Sequence, residues 1–214
     1  MSEDYRKIQL IMRLRSQGVR DTRVLAAMEQ VPRELFLNEA LKDQAYVDHA
    51  LPIACGQTIS QPFIVAFMTD RLNVTDRTKV LEVGTGSGYQ TAVLSHVCRR
   101  VYTIERYRTL SKQAEERFKQ LGRRNITGMV ADGTKGWPAQ APFERIIVTA
   151  AAPGKVPTAL AEQLAIGGEM IIPIEYSRHR QELQRIVRTE HGFDNEILLP
   201  VRFVPLVGGF AKDL

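Results

Sequence analysis

The sequence predicts an α/β chain built on a mostly parallel, doubly wound sheet, with helices in front of it and a β addition behind it. Three observations carry that expectation. Lys79-Val80-Leu81-Glu82-Val83 is a run of β-formers broken by one acid, which suits a central strand buried on both faces. It opens into Gly84, Gly86 and Gly88 and then into Tyr89–Ser95, whose apolar residues recur at helical spacing. Further strand-like runs alternate with helical patterns until the rhythm changes to paired strands near the end of the chain.

Taken in order, Tyr5, Ile8, Met12 and Leu14 or Arg15 mark one face of a first helix that Gly18 ends. Asp21 can cap a second helix through Val24, Leu25 and Met28, which Pro32 stops. From Tyr46 to Pro62 there is little periodicity, and irregular stretches of this length in compact domains are commonly functional. The stretch ends at a helix from Phe63 to Leu72, with Pro62 in its first turn and Ser60 or Gln61 as its cap. Ser60 has two readings: a plain cap, or a hydroxyl that holds a substrate carboxylate beside the amides of the helix start. The sequence permits both.

The glycines at 84, 86 and 88 form a strand-to-helix turn where the absence of side chains lets a ligand approach the backbone. The unpaired amides of the following helix face that ligand. Val101-Tyr102-Thr103-Ile104-Glu105 reads as a second strand ending in a carboxylate, twenty-one residues after Gly84, near the spacing expected of a ribose-binding acid. Two ribose hydroxyls can donate to one carboxylate. The G-x-G-x-G spacing departs from the dinucleotide fingerprint, and Glu82 sits badly beside a pyrophosphate. An acid there suits a ligand with a cationic end, such as S-adenosylmethionine with its ammonium and sulfonium.

Leu110, Ala114, Phe118 and Leu121 mark an amphipathic helix closed by Gly122, and Ile126–Val130 is a third strand that leads to Asp132-Gly133. An acid at the carboxyl end of another strand is where such sheets place ligand contacts, although Asp-Gly is also a common plain turn. Phe143–Thr149 is the fourth strand, Leu160 and Leu164 belong to a helix after Pro157, and Gly167-Gly168 leads into a fifth strand, Met170–Ile174. Leu183–Thr189, His191-Gly192-Phe193 and Ile197–Leu199 read as a strand, a turn and a return strand. The expected organisation is one domain over residues 1–214. Its parts are a helical and substrate-loop extension (1–75), a cofactor-binding core (76–175) and C-terminal strands (176–214).

Composition sets the bounds. The 214 residues are 44% hydrophobic and 25% charged, as in an ordinary soluble globular chain. No apolar stretch approaches the roughly 20 residues of a membrane span, and the polar start does not read as a signal peptide, so a cytoplasmic protein is expected. Cys55 and Cys98 lack C-x-x-C spacing and form either a disulfide or buried thiols, the latter favoured in a reducing compartment. The 29 basic residues exceed the 24 acidic ones, giving a formal charge of +5. Its densest clusters, Arg99-Arg100, Arg123-Arg124 and Arg178-His179-Arg180, lie at element ends and read as solvated surface. His49, His96, His179 and His191 match no triad or metal pattern.

Several segments, in order and over most of the chain, resemble the protein-L-isoaspartate O-methyltransferase family. They are Gly56-Gln57-Thr58-Ile59-Ser60-Gln61-Pro62, Leu81–Tyr89, Asp132-Gly133, Ala151-Ala152-Pro153, Gly167–Pro173 and Phe203-Val204-Pro205-Leu206. The glycine turn is shared by all class I methyltransferases, whereas G-Q-T-I-S-Q-P is far more specific. Asp48–Cys55 departs from the family's acid followed by P-L-P-I-G.

The resemblance implies a Rossmann-like class I methyltransferase fold with sheet order 3-2-1-4-5-6-7. It implies methyl transfer from S-adenosyl-L-methionine, leaving S-adenosyl-L-homocysteine, to the free α-carboxylate of L-isoaspartyl residues in damaged proteins. The ester then collapses to a succinimide, and part of it reopens to normal aspartate. Ser60 becomes the active-site residue, with Thr58 and Val204 shaping the peptide pocket. Gly84, Thr85, Gly86 and Gly88 would approach the methionine part of the cofactor, Glu105 the ribose, Asp132 and Gly133 the adenine edge, and Glu82 the ammonium through water. The partners expected are isoaspartyl peptides and proteins, with no metal, nucleic acid or membrane, and the chain is expected to be a monomer. The chief alternative is an S-adenosylmethionine-dependent RNA methyltransferase, which the basic charge fits. The amino-directed members of that class place Asn or Asp before Pro-Pro-aromatic where this chain has Thr149-Ala150-Ala151-Ala152-Pro153.

Overall fold

A computed structural model describes residues 3–211. Two helices, α1 (Glu3–Ser16) and α2 (Thr22–Gln30), precede a small ribbon of β1 (Leu51–Pro52) and β2 (Thr58–Ile59) and the helix α3 (Pro62–Arg71). The core follows as β3 (Lys79–Val83), α4 (Tyr89–Val97), β4 (Arg100–Glu105), α5 (Arg108–Gln120), β5 (Ile126–Val130) and β6 (Phe143–Val148). A two-residue strand β7 (Ala152–Pro153) and a single helical turn α6 (Thr158–Ala161) lead to β8 (Leu164–Ser177), β9 (Arg180–Arg188) and β10 (Phe193–Pro200).

The main sheet runs β10-β9-β8-β6-β3-β4-β5, which is the 3-2-1-4-5-6-7 order of its long strands. β3 sits at its centre, parallel to β4 on one side and β6 on the other, with Val80 and Leu81 fully buried. That burial on both faces is what a near-continuous apolar strand requires. β8 is parallel to β6, whereas β9 and β10 return antiparallel. Only residues 178–179 join β8 to β9, a link too short for a crossover, so the last strands extend the sheet as hairpins. Glu169 on β8 fastens this half, pairing with Arg185 on β9 at 2.7 Å and with Arg145 on β6 at 3.6 Å.

Four expectations need correction. In α1 the buried residues are Leu10 and Leu14, while Tyr5, Ile8 and Met12 are exposed. The helix carries two apolar stripes, and the stripe offset by two residues meets α2 and α3. Leu164 begins β8 rather than continuing a helix, because α6 is a single turn. Gly167-Gly168 lies within β8, where the register against β6 shifts between Phe143 and Arg145, so these glycines mark an irregularity inside the strand. The basic pairs are also not simply solvated: Arg123 donates to the Ser95 hydroxyl at 2.9 Å and Arg100 to the Thr127 hydroxyl at 2.5 Å. Cys55 and Cys98 form no disulfide, and Cys98 is buried while Cys55 is partly so. Burial pushes the Cys98 thiol up to about 12. Among the described residues no helix is long and apolar enough to cross a membrane.

Candidate functional site

The carboxyl ends of β3, β4 and β6 meet two segments from outside the core, Gln57–Ser60 and Val204–Val207, around one cavity. A parallel sheet leaves such a crevice where its strand order reverses, here between β3 and β6. The C-terminal segment is held across it because Ala151 donates to the Val204 carbonyl and Leu206 to the Ala151 carbonyl, each at 2.8 Å. A second groove of about 600 Å³ opens alongside, between Asp48–Ala50, Gln61, Ile64 and Pro200–Val204. Thr58, Ser60, Thr149 and Val204 line both spaces.

Gly84 and Gly86 line the cavity at φ +99° and +54°. A side chain at Gly84 would strike the Thr149 hydroxyl, which donates to the Gly84 carbonyl at 2.6 Å. Thr149 thus clips the tip of β3 to the end of β6. Thr85 also lines the cavity, and its hydroxyl pairs with that of Thr103 at 2.6 Å. Gly88 behaves differently. At φ +89° it packs against α5, where a Cβ would come within 2.8 Å of Phe118, so it serves helix packing and is not among the cavity residues.

Glu105, 5% exposed, faces the cavity and is already engaged. One oxygen accepts the Gly86 amide at 2.8 Å, and the other accepts the Arg106 and Tyr107 amides at 2.8 and 3.0 Å. A carboxylate offers about four lone-pair sites, so one acceptor site is left for a ribose hydroxyl rather than two. Gly133 lines the cavity, and a Cβ there would stand 2.6 Å from Val83. Asp132 turns aside to accept from the Thr134 amide at 3.0 Å and hydroxyl at 2.6 Å. Burial opposes its ionisation, but hydrogen bonds from Thr134 and the Gly209 amide outweigh this and hold its carboxyl below the usual range.

Glu82 was expected to reach a ligand through water, yet it is fully buried on the far side of the turn. Its Oε2 accepts from the Thr91 hydroxyl and from the Thr103 hydroxyl at 2.6 Å, and Oε1 has no partner. Burial pushes its carboxyl up to about 8, against the pull of the two hydroxyls, and the nearby Glu105 charge adds to the rise.

Ser60 does not cap α3. The cap position is Gln61, without a side-chain bond, and the Phe63 amide donates instead to Asp48 Oδ1 at 2.8 Å. The Ser60 hydroxyl is therefore not committed to the helix end. Its carbonyl is held by the buried Arg33, whose Nη2 donates to it at 2.8 Å. Arg33 was not singled out in the sequence, and Asp48 and Thr149 were named only within the departure from the family pattern and at the end of the fourth strand, without a role. Thr149 had a signal, its place at the carboxyl end of the fourth strand; Asp48 stood in the stretch that departs from the family's pattern, but nothing there pointed to the amide it caps fifteen residues on.

The geometry fits a nucleoside ligand: a side-chain-free turn, an acid with one acceptor site left, and an adjoining groove that meets it at Ser60. Comparison with known proteins agrees. The model of the protein-L-isoaspartate(D-aspartate) O-methyltransferase family matches residues 5–211. A protein-L-isoaspartate O-methyltransferase of Parvibaculum lavamentivorans is 64% identical over 209 residues, 97% of this chain and 94% of the relative. A solved protein-L-isoaspartate O-methyltransferase superimposes with a TM-score of 0.85 at 29% identity, covering 95% of this chain and 66% of that one. A structure from Plasmodium falciparum, titled as a putative enzyme of this kind in complex with S-adenosyl-L-homocysteine, gives 0.80 at 28% identity, covering 93% and 97%. With its fold, its glycine turn and its Gly56–Pro62 segment all in place, the chain belongs to the protein-L-isoaspartate(D-aspartate) O-methyltransferase family.

Proposed function

We propose that this protein is a repair methyltransferase that esterifies the free α-carboxylate of L-isoaspartyl residues, with S-adenosyl-L-methionine as methyl donor. The single observation that carries the reading is the junction of the two spaces, where Ser60, Thr58, Thr149 and Val204 line both the cavity and the groove. A peptide in the groove and a nucleoside in the cavity can meet there and nowhere else along their walls.

When bound, the donor supplies an electrophilic methyl group on a sulfonium. The residues of the chain do the rest. Gly84, Thr85, Gly86 and Gly133 offer backbone at close range, and Glu105 takes a ribose hydroxyl on its remaining acceptor site. The substrate carboxylate is ionised at neutral pH, so it attacks without a general base, and the site needs to align it and exclude water. One hydroxyl, that of Ser60, holds the carboxylate without quenching its nucleophilicity as an arginine clamp would. Thr58 and Val204 bound the peptide pocket. The acceptor is protein rather than nucleic acid, the protein acts as a monomer, and no metal takes part. The test is methyl transfer with an isoaspartyl peptide and transfer RNA as competing acceptors. The reading requires label in the peptide as a base-labile ester; label in the RNA alone overturns it.

A further inference from the structure

Arg33 has no solvent exposure, yet only Nη2 has a hydrogen-bond partner, the Ser60 carbonyl at 2.8 Å; Nε and Nη1 have none. A buried guanidinium with two nitrogens unpaired carries a desolvation cost that one hydrogen bond to a carbonyl offsets only in part, so packing alone does not call for an arginine here. The fold instead builds a support for it. The guanidinium lies 4.8 Å over the ring of Tyr89, a residue that lines the cavity. Tyr89 meets Phe36 edge-on at 5.3 Å, and Arg117 stands 5.9 Å over Phe36 while donating to the Ser87 carbonyl at 2.9 Å. One arginine thus holds the serine segment and another holds the glycine turn, with two rings in edge-to-face contact between them. Beyond Pro62, Asp48 takes the Phe63 amide at 2.8 Å. The segment from Ser60 to Phe63 is pinned at both ends.

We propose that Arg33 is a positioning residue for methyl transfer: by holding the Ser60 carbonyl it fixes the backbone rotation at Ser60, and with it the direction in which the hydroxyl meets the substrate carboxylate. The proposal rests on the reading of Ser60 given above. Arg33 lines neither space itself, so it acts through Ser60. A displacement of the order of 1 Å at such a contact lowers turnover by about 100-fold, which sets the scale of the effect.

The experiment compares wild type, Arg33→Met and Arg33→Lys in three measurements: kcat and KM on an isoaspartyl peptide, affinity for S-adenosyl-L-homocysteine, and melting temperature. Arg33→Met keeps the bulk but removes the donor. It should lower kcat at least tenfold, leave nucleoside affinity within about twofold, and melt no lower than wild type. Arg33→Lys keeps one donor but cannot stack on Tyr89 while donating, and should fall between the two. Wild-type kcat in folded Arg33→Met overturns the proposal, as does a parallel fall of kcat, nucleoside affinity and melting temperature. If Arg33→Met does not fold, Arg33→Lys decides: a kcat at least threefold below wild type with intact nucleoside affinity supports the proposal, and an unchanged kcat overturns it. Failure of the wild type to methylate the peptide would overturn the reading of the site itself, a distinguishable result.

Discussion

The Gly86 amide donates to Glu105 Oε2 at 2.8 Å, so the acid that ends β4 grips the glycine turn that ends β3. With Oε1 holding the Arg106 and Tyr107 amides, Glu105 is both a wall of the cavity and the tie between its two strands. Glu105→Ala should weaken S-adenosyl-L-homocysteine binding, since a charged acceptor contributes about 1.5 to 3 kcal/mol per hydrogen bond. It should also lower the melting temperature, because three amides lose their acceptor. Calorimetric titration checks the first effect, and unchanged affinity in a folded variant removes Glu105 from the site.

Ser60 and Asp48 separate chemistry from capping. Because the cap of α3 comes from Asp48, Ser60→Ala and Ser60→Gly should both keep wild-type stability and reduce methyl transfer by about one to two orders of magnitude, a loss of about 1.5 to 3 kcal/mol. Asp48→Ala should cost about 0.5 to 2 kcal/mol of stability, as the loss of a helix cap does. Denaturant titration with kinetics on each folded variant checks the pair. Full turnover in Ser60→Gly would make the serine structural.

Glu82 gives the protein a pH-dependent stability of predictable sign. Its folded-state value of about 8 lies above the 4.5 of an ordinary glutamate, so between these pH values the folded chain holds a proton that the unfolded chain has lost. Stability from this group should therefore be greatest at acidic pH and fall as pH rises from about 4.5 towards 8, by at most about 1.4 kcal/mol per pH unit. Glu82→Gln should flatten that slope. Melting temperatures of both proteins across this range are the measurement, and identical slopes would contradict the assignment.

The glycines of the turn should fail in different ways. Gly88→Ala places a methyl within 2.8 Å of Phe118 at φ +89°, and should destabilise the fold by about 2 to 4 kcal/mol through overpacking and backbone strain. Gly86 has nothing nearer than Ile53 at 3.9 Å, so Gly86→Ala should cost about 1 kcal/mol and act mainly on nucleoside affinity. Denaturation midpoints and calorimetry separate the two; equal stability losses would refute the distinction.

Lys79–Val83 was legible because burial on both faces leaves a run of β-formers, and the edge strand Ile126–Val130, which has no buried residue, because its β-formers stand between turn residues; both have the bounds expected of them. The face of α1 was not, because two apolar stripes compete in the sequence and only the neighbours α2 and α3 choose between them. Of the residues singled out from the turn and the family motif, Ser60, Gly84, Thr85, Gly86, Glu105 and Gly133 line the cavity. Glu82, Gly88 and Asp132 belong to the same motifs but face hydroxyls, a helix and a neighbouring turn. Alternation along β3 decides which side Glu82 faces, while Gly88 and Asp132 stand at the starts of helical turns, where local capping and packing decide, and a motif reveals neither. The roles of Arg33 and Asp48 were not legible because both act at long range, on carbonyl or amide groups that any residue carries.

Ser60 lines both cavity and groove, and in the proposed reaction it presents one particular carboxylate to the methyl donor. In an isoaspartyl linkage the backbone runs through the side chain, so the free carboxylate sits on the α-carbon, one methylene nearer the main chain than in aspartate. In-line transfer needs the reacting atoms about 3 to 3.5 Å apart, so a groove that fixes the peptide backbone admits only one of the two. The most direct measurement is the rate of methyl ester formation on two peptides identical except for isoaspartate or aspartate at one position. The account predicts turnover of the isoaspartyl peptide with the aspartyl peptide essentially untouched; comparable rates on both would contradict it.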